Sequence, residues 1–368
     1  MLLIKTDRDT LLKPLQEVTG VVERRHTLPI LSNVLIERSG GNLSLIATDL
    51  EIQVTAITAC ADQDQDFAIT VSAKKLLDIC RSLPDGTEVK LDGEDSRLQL
   101  KGGKSRFSLQ TLPAADFPKV APSQDIKSTV RLPQKTLKQL LNLVQFAMAQ
   151  QDIRYYLNGL LLIVDGGTLK VVATDGHRLS LASVQLEGAN EAQEVILPRK
   201  TVVELIKLLA DNDDEAVIEI AQNQVKFTFG NIILVSKVID GKFPDHNRVI
   251  PTNHDKNLML GRTALLQALQ RVSILSNEKF RGVRLVLTAN NLRIICNNSE
   301  QEEAQEELEI DYSGDALDIG FNVSYLLDVL NNLGCEKVAC SFGDANSSML
   351  LTVPEDADFK YVVMPMRI

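Results

Sequence analysis

The chain repeats itself. Ala47-Thr48-Asp49 and Ala173-Thr174-Asp175 lie 126 residues apart, each closing a run that begins Gly-Gly-x-Leu. A period of this kind constrains the fold more than any local propensity, because each unit must be built alike and packed on the next. Two helical stripes follow the same period. Leu11, Leu15 and Val18, spaced i, i+4, i+7, recur as Leu137, Leu141, Val144 and as Leu265, Leu269, Val272, at offsets of 126 and 128. A second stripe runs Leu76, Cys80, Leu83, then Val202, Ile206, Leu209, then Leu326, Leu330, Leu333, with an acid (Asp78, Glu204, Asp328) at the same place each time.

Between the stripes lie hairpin patterns: 33–37 with 43–46, 159–164 with 169–173, and 282–287 with 292–296. More strand follows each second helix, so every copy reads strand, helix, strands, helix, strands. Pro14 suits a helix interior poorly, and the first helix is therefore expected to kink or to start late. Pro and polar residues cluster without periodicity at 113–127 and 244–256. The reading is three α+β domains, 1–127, 128–255 and 256–368, each with two helices covering one face of an antiparallel sheet.

Composition removes several classes of function. The Met1-Leu2-Leu3-Ile4 run is cut off by Lys5-Thr6-Asp7-Arg8, unlike a secretory signal, and no apolar run approaches a membrane span of about 18 residues. Five scattered cysteines without CxxC spacing suggest neither a disulfide framework nor a metal site, and no cofactor motif is present. A reducing cytoplasm is the expected home. The net charge of −10 argues against nucleic acid until its distribution is seen: residues 256–368 carry 10 basic and 16 acidic side chains, and residues 1–127 carry 16 and 18. Six glutamates fall between Glu300 and Glu309, whereas the corresponding part of copy one is Lys101-Gly102-Gly103-Lys104-Ser105-Arg106. Opposite charges on two faces of one chain suit a head-to-tail contact between copies; solvated strand edges guarded by charge are the alternative.

Copy two departs from copy one after Asp175. Leu50-Glu51 gives way to Gly176-His177-Arg178-Leu179. Asp175, His177 and Ser180 invite an acid–base reading, but residues this close along a strand alternate faces, and no nucleophile elbow, HExxH or phosphate loop accompanies them. A peptide groove is the better reading. Gly176 admits a close backbone, Leu157 and Leu179 supply apolar walls, and Pro244, Arg248 and Val249 close one side. The terminal Val362-Val363-Met364-Pro365-Met366-Arg367 lies across from them, its methionines suited to varied ligands. A final strand stapled into copy three's sheet is the other role open to that tail, and the two are compatible.

Eight ordered motifs, among them T-L-P-I-L-S-N (27–33), R-F-S-L-Q-T-L-P-A-A-D-F-P (106–118), Q-D-I-R-Y-Y-L-N-G (151–159), A-T-D-G-H-R-L (173–179) and S-N-E-K-F-R-G-V-R-L (276–285), resemble the β subunits of bacterial DNA polymerase III, the sliding clamps. The resemblance spans the chain. It implies a homodimeric, head-to-tail ring of six domains whose twelve helices surround duplex DNA without reading sequence, holding by topology rather than by catalysis. Twelve helices at about 9 Å spacing leave an opening of about 24 Å, of duplex scale. By the same resemblance, Arg25, Lys74, Gln151, Tyr155 and Tyr156 contact DNA, with Lys200 matching Lys74. The groove, to which Thr174 is added, receives short apolar, Gln-containing segments of the polymerase III catalytic subunit, the clamp loader and other clamp-binding proteins. The dimer contact pairs Lys104, Arg106, Phe107 and Leu109 with Ile274, Leu275, Glu300 and Glu303. Copy three has Cys296-Asn297-Asn298 where the others have Ala-Thr-Asp, so a second groove is not expected there. A scaffold of repeated domains that never encircles DNA is the competing reading.

Overall fold

A computed structural model describes residues 2–23, 28–60, 66–94, 96–188 and 191–367. Copy one runs β1 (Leu2–Asp7), α1 (Arg8–Val18), β2 (Asn33–Ser39), β3 (Asn42–Thr48), β4 (Ile52–Ala59), β5 (Phe67–Ser72), α2 (Ala73–Ser82), β6 (Glu88–Glu94), β7 (Arg97–Gly102) and β8 (Ser105–Leu112). Copy two repeats the order as β9 (Ile126–Pro133), α3 (Gln134–Val144), β10 (Gly159–Asp165), β11 (Thr168–Thr174), β12 (Arg178–Gln185), β13 (Gln193–Pro198), α4 (Arg199–Leu208), β14 (Glu215–Ala221), β15 (Gln224–Phe229) and β16 (Ile232–Lys237). Copy three follows as β17 (Lys256–Gly261), α5 (Arg262–Val272), β18 (Gly282–Thr288), β19 (Asn291–Asn297), β20 (Glu303–Glu309), β21 (Leu317–Asn322), α6 (Val323–Asn332), β22 (Lys337–Phe342), β23 (Met349–Val353) and β24 (Asp356–Val363).

The expected order of elements stands, with two corrections. Four strands, not one hairpin, separate the helices of each copy. α1 also begins at Arg8 despite Pro14, which sits buried inside it. Asp7 caps the helix by accepting from the Asp9 amide at 2.8 Å. Pro14 removes one internal hydrogen bond, but Leu11, Leu15 and Val18 are fully buried, and that burial carries the helix through the proline.

The contacts group into two compact units rather than three, Met1–Leu137 with Val203–Val238, and Lys138–Val202 with Ile239–Ile368. The reason lies in the sheets, which do not stop at the repeats. In the first unit a twelve-stranded sheet runs β1-β6-β7-β8-β5-β2-β3-β4-β16-β15-β14-β9, joining copy one to copy two through β4 and β16, with Ile52 opposite Ser236. In the second unit an eight-stranded sheet runs β13-β10-β11-β12-β24-β23-β22-β17, joining copy two to copy three through β12 and β24, with Arg178 opposite Val363. A separate four-stranded sheet in that unit runs β20-β19-β18-β21. The same rule made both joins: the third strand between the helices of one copy pairs with the last strand of the next.

Candidate functional site

The Ala-Thr-Asp-Gly-His-Arg stretch is not one strand. β11 ends at Thr174, β12 starts at Arg178, and the three residues between them form the hairpin turn. Its geometry follows from short polar side chains that bond nearby backbone. The Thr174 hydroxyl donates to the Arg178 carbonyl at 2.6 Å and accepts from the Gly176 amide at 3.0 Å. One Asp175 carboxylate oxygen accepts from the amides of His177 (2.9 Å) and Arg178 (3.1 Å). Gly176 has φ +91°, a conformation that strains any other residue, and a Cβ there would stand 2.8 Å from Nη1 of Arg154, so a larger side chain would be strained and would have to displace the Arg154 guanidinium. The acid–base reading ends here: Asp175 is spent on the turn, and the buried Ser180 hydroxyl donates to the Leu143 carbonyl at 2.6 Å.

Beside the turn opens a cleft of about 450 Å³, built wholly within the second unit. Its floor is the cluster containing Leu157, Leu161, Val172, Leu179, Phe243 and Val362. One wall is the short 3₁₀ turn His246–Val249, capped by Asp245, whose carboxylate accepts from the Asn247 amide and pairs with Arg248 at 3.0 Å. Val249 stands half-exposed on that wall. The tail forms the opposite side. β24 is stapled between β12 and β23, the Met364 amide donates to the His177 carbonyl at 2.9 Å, and the Met364 side chain is half-exposed above it. The tail is thus the final strand expected of it, and Val362 and Met364 also line the cleft.

Two arginines flank the turn. Arg154 donates to both Asp152 carboxylate oxygens (3.0 and 2.8 Å) and to the Asp175 carbonyl (3.0 Å). Those Arg154 bonds hold the Asp152 carboxyl down at about 2. Arg178 is buried, meeting Asp175 at 3.1 Å, Asp328 at 2.6 Å and the Phe146 carbonyl at 2.6 Å, with its guanidinium 4.4 Å from the Tyr325 ring centroid. Burial opposes its charge, but its acidic neighbours Asp328 and Asp175 help to offset that, and its pKa lies above the ordinary arginine value.

Of the groove residues read from sequence, Leu157, Thr174, Gly176, His177, Arg178, Leu179, Pro244, Arg248, Val249, Val362 and Met364 line the cleft. Val363 is buried in the sheet, and Met366 turns back so that its amide bonds the Gly320 carbonyl; these two, Pro365 and Arg367 are not part of the lining. Arg154, Tyr156, Asp245, His246 and Ser348 line it as well and were not read as groove residues. Arg154 was signalled by an acid two residues before it. Ser348 carried no local signal, since it arrives through the pairing of β23 with β24. The His246 imidazole is buried, and burial first, then Lys170, lowers its pKa.

The other expected residues are placed apart. Arg25 lies outside the described residues. Lys74 is exposed on α2 and Gln151 is exposed with φ +56°. Tyr155 is 59 % exposed and packs edge-on against Tyr156, their centroids 5.8 Å apart. Lys104 is exposed in the turn before β8, and on β8 Arg106 is exposed while Phe107 and Leu109 share the half-buried face. β8 is bonded fully by β7 but by β5 only at Leu112 and Thr111. In the other unit Ile274 is 77 % exposed, Leu275 half-buried, Glu300 and Glu303 exposed, and β20 pairs with β19 alone among the described strands. Each unit thus has a strand edge left largely unbonded.

Three family models match the chain in order: the N-terminal domain of the DNA polymerase III β subunit over residues 2–121, its central domain over 131–245 and its C-terminal domain over 247–367. The β sliding clamp of Escherichia coli K12 is 48% identical over 364 residues, covering 98% of this chain and 99% of the relative, and that of Pseudomonas aeruginosa is 49% identical over 362 residues, covering 98% of each. Among solved structures, a DNA polymerase sliding clamp from Pseudomonas aeruginosa is similar at a TM-score of 0.96, with 47% identity and complete coverage of both chains. The Caulobacter crescentus β sliding clamp is similar at 0.95, with 40% identity and coverage of 100% and 99%.

Proposed function

From the premise that this chain belongs to the family of DNA polymerase III β subunits, the sliding clamps, we propose how its own surfaces do that work. Two copies close head to tail into a ring around duplex DNA, and the cleft beside His177 takes peptide segments of the polymerase III catalytic subunit, the clamp loader and other clamp-binding proteins. The family is one of processivity factors, and the work proposed is tethering, not bond chemistry.

One observation carries the ring. Both internal joins pair the third inter-helix strand of one copy with the last strand of the next, and the two strands that would make the same join a third time, β20 and β8, have largely unbonded edges. A chain with such heterologous edges either closes or polymerises. Carrying the register of the first two joins forward sets Ala304 opposite Phe107 of a second copy. Arg106 then falls diagonally between Glu303 and Glu307, and Lys104 opposite Glu307, so the opposed charges select that register. Ile274 and Leu275 supply apolar area beside Phe107 and Leu109.

Charge supports the DNA-facing surface. The six helices carry twelve Lys and Arg against five Asp and Glu, in a chain whose net charge is −10. Lys74 lies on that set, and Lys200 with it; Gln151, Tyr155 and Tyr156 follow the first helix of copy two, with side chains that can bond phosphates or stack on a base, and Arg25 is proposed as a further phosphate partner. Domain limits of 1–127, 128–255 and 256–368 accord with the thrice-repeated order of elements. No helix among the described residues is long and apolar enough to cross a membrane, and a cytoplasmic site of action is proposed with the rest.

The test is topological. The protein, loaded on nicked circular DNA, is retained through gel filtration in moderate salt and is lost once the circle is linearised. Plain phosphate binding weakens alike on both forms as salt rises, and equal loss from the two would sink the ring.

A further inference from the structure

We propose that Asp328, on the second helix of copy three, is a positioning residue of the cleft: through Arg178 it holds the 175–178 turn in the shape that accepts a peptide. The inference rests on the cleft being a peptide site. Arg178 lines the cleft, yet all three of its guanidinium nitrogens are engaged inside the fold, by Asp175, Asp328 and the Phe146 carbonyl. It offers a ligand a fixed surface rather than free donors, and a guanidinium is a rigid fork only while its partners hold it. Asp175 belongs to the turn itself and the third partner is backbone. Of the three hydrogen-bond partners, Asp328 alone is a side chain from another copy; it bonds at 2.6 Å beside the Tyr325 ring of the same helix, and it has no part in the lining.

The repeat supplies an independent argument. Glu204 occupies the same helix position in copy two, is buried, and reaches the turn that follows α1: a Cβ on Gly20 would stand 2.1 Å from its Oε2. Gly20 and Phe146 are 126 residues apart and hold equivalent places after the first helices of copies one and two. In copies two and three, therefore, the acid of the second helix is directed at the turn after the preceding copy's first helix. In the first join Glu204 itself lies against the turn, and the residue equivalent to Arg178 is Ile52. In the second join a shorter acid reaches the same place through Arg178, so a structural tie has been routed through the wall of the binding cleft.

Fluorescence anisotropy with a fluorescein-labelled peptide, carrying the Gln-containing apolar segment of a polymerase III catalytic subunit, tests this on the full chain. Asp328→Asn is expected to weaken binding about five- to tenfold, the lower range of a site-to-site coupling. Asp328→Glu should recover most of the loss. Added to Arg178→Leu, Asp328→Asn should cost nothing further. Glu204→Gln loosens a tie that bypasses the cleft and should leave peptide affinity unchanged. Wild-type affinity in Asp328→Asn, additive losses in the double variant, or an equal loss in Glu204→Gln would each overturn the positioning role. A wild-type chain that does not bind the peptide would overturn the reading of the cleft, a separate result, and the positioning role with it.

Discussion

The turn between β3 and β4 and the turn between β11 and β12 are the same turn made twice. In the first, the Thr48 hydroxyl donates to the Ile52 carbonyl (2.8 Å) and accepts from the Leu50 amide (3.0 Å), while Asp49 accepts from the amides of Glu51 and Ile52 (2.9 and 2.8 Å). Thr174 and Asp175 make the matching four bonds in the second. Even the following strand is joined alike: the Lys237 amide bonds the Glu51 carbonyl, as the Met364 amide bonds that of His177. The two regions differ only in what hangs on this frame. Gln53 stands where copy two has Leu179, and its amide group bonds both the N–H (2.8 Å) and the C=O (3.3 Å) of Val120, fastening the linker after copy one against the sheet. Lys119 adds a bond to Glu37 at 2.6 Å. Leu179 has no polar group with which to bond the equivalent linker, and in copy two it forms part of the apolar lining of the cleft. One turn frame carries a linker fastened by Gln53 in one place and borders an open cleft in another, with different side chains at a few turn and strand positions.

Exchanging those side chains tests whether they carry the difference. The largest effect is expected from Gly176→Leu, which gives copy two the residue of copy one. A leucine at φ +91° costs about 1–2 kcal/mol of backbone strain, and its Cβ would displace the Arg154 guanidinium. Peptide affinity measured by calorimetry should fall about thirtyfold, a loss of about 2 kcal/mol typical of a hot-spot position. Unchanged affinity would mean that Arg154 and the turn do not shape the site. Leu179→Gln should do less. It gives the linker around His246 the backbone partner that Gln53 gives Val120, and the wall moves toward the floor. About a tenfold loss of peptide affinity is expected, equivalent to about 1.4 kcal/mol, with the melting temperature held or raised. A drop in both would show that the glutamine found no partner, and that the tie in copy one depends on more than Gln53.

Much of this was legible in the chain, for physical reasons that also mark where legibility stops. Leu11, Leu15 and Val18 and their counterparts announced the helices because burial at a 3.6-residue period leaves a trace in sequence. Pro14 does not delay the start of the helix, because a missing N–H is outweighed by the fully buried residues on either side of it. The third and fourth strands of each four-strand run leave a weaker trace, because the Thr-Asp turn of the first two copies is set by side chains that bond their own backbone and not by a hydrophobic period. His177 accordingly lies in the turn and not on a strand. Glycine, the apolar walls and the methionine tail pointed to the cleft. Arg154, His246 and Ser348 did not, because they are brought there by a salt bridge, a linker and a strand pairing that only the folded chain contains.

The smallest effect belongs to the reverse exchange, and it bears most directly on whether the two turns are independent. Leu50 holds φ +78°, a conformation that costs a leucine about 1–2 kcal/mol. Leu50→Gly removes that strain, but it also frees the unfolded chain, at a cost of about 0.5–1 kcal/mol, and gives up the packing of a half-buried side chain. The terms nearly cancel, and stability by chemical denaturation should move by less than about 1 kcal/mol in either direction. Thr48 and Asp49 keep the turn closed without any help from position 50, and Gln53 continues to hold Val120, so peptide affinity at the cleft in copy two should be unaltered. A change in that affinity would show that the frame in copy one communicates with the frame in copy two, and the two regions could then no longer be treated as one device used separately for two ends.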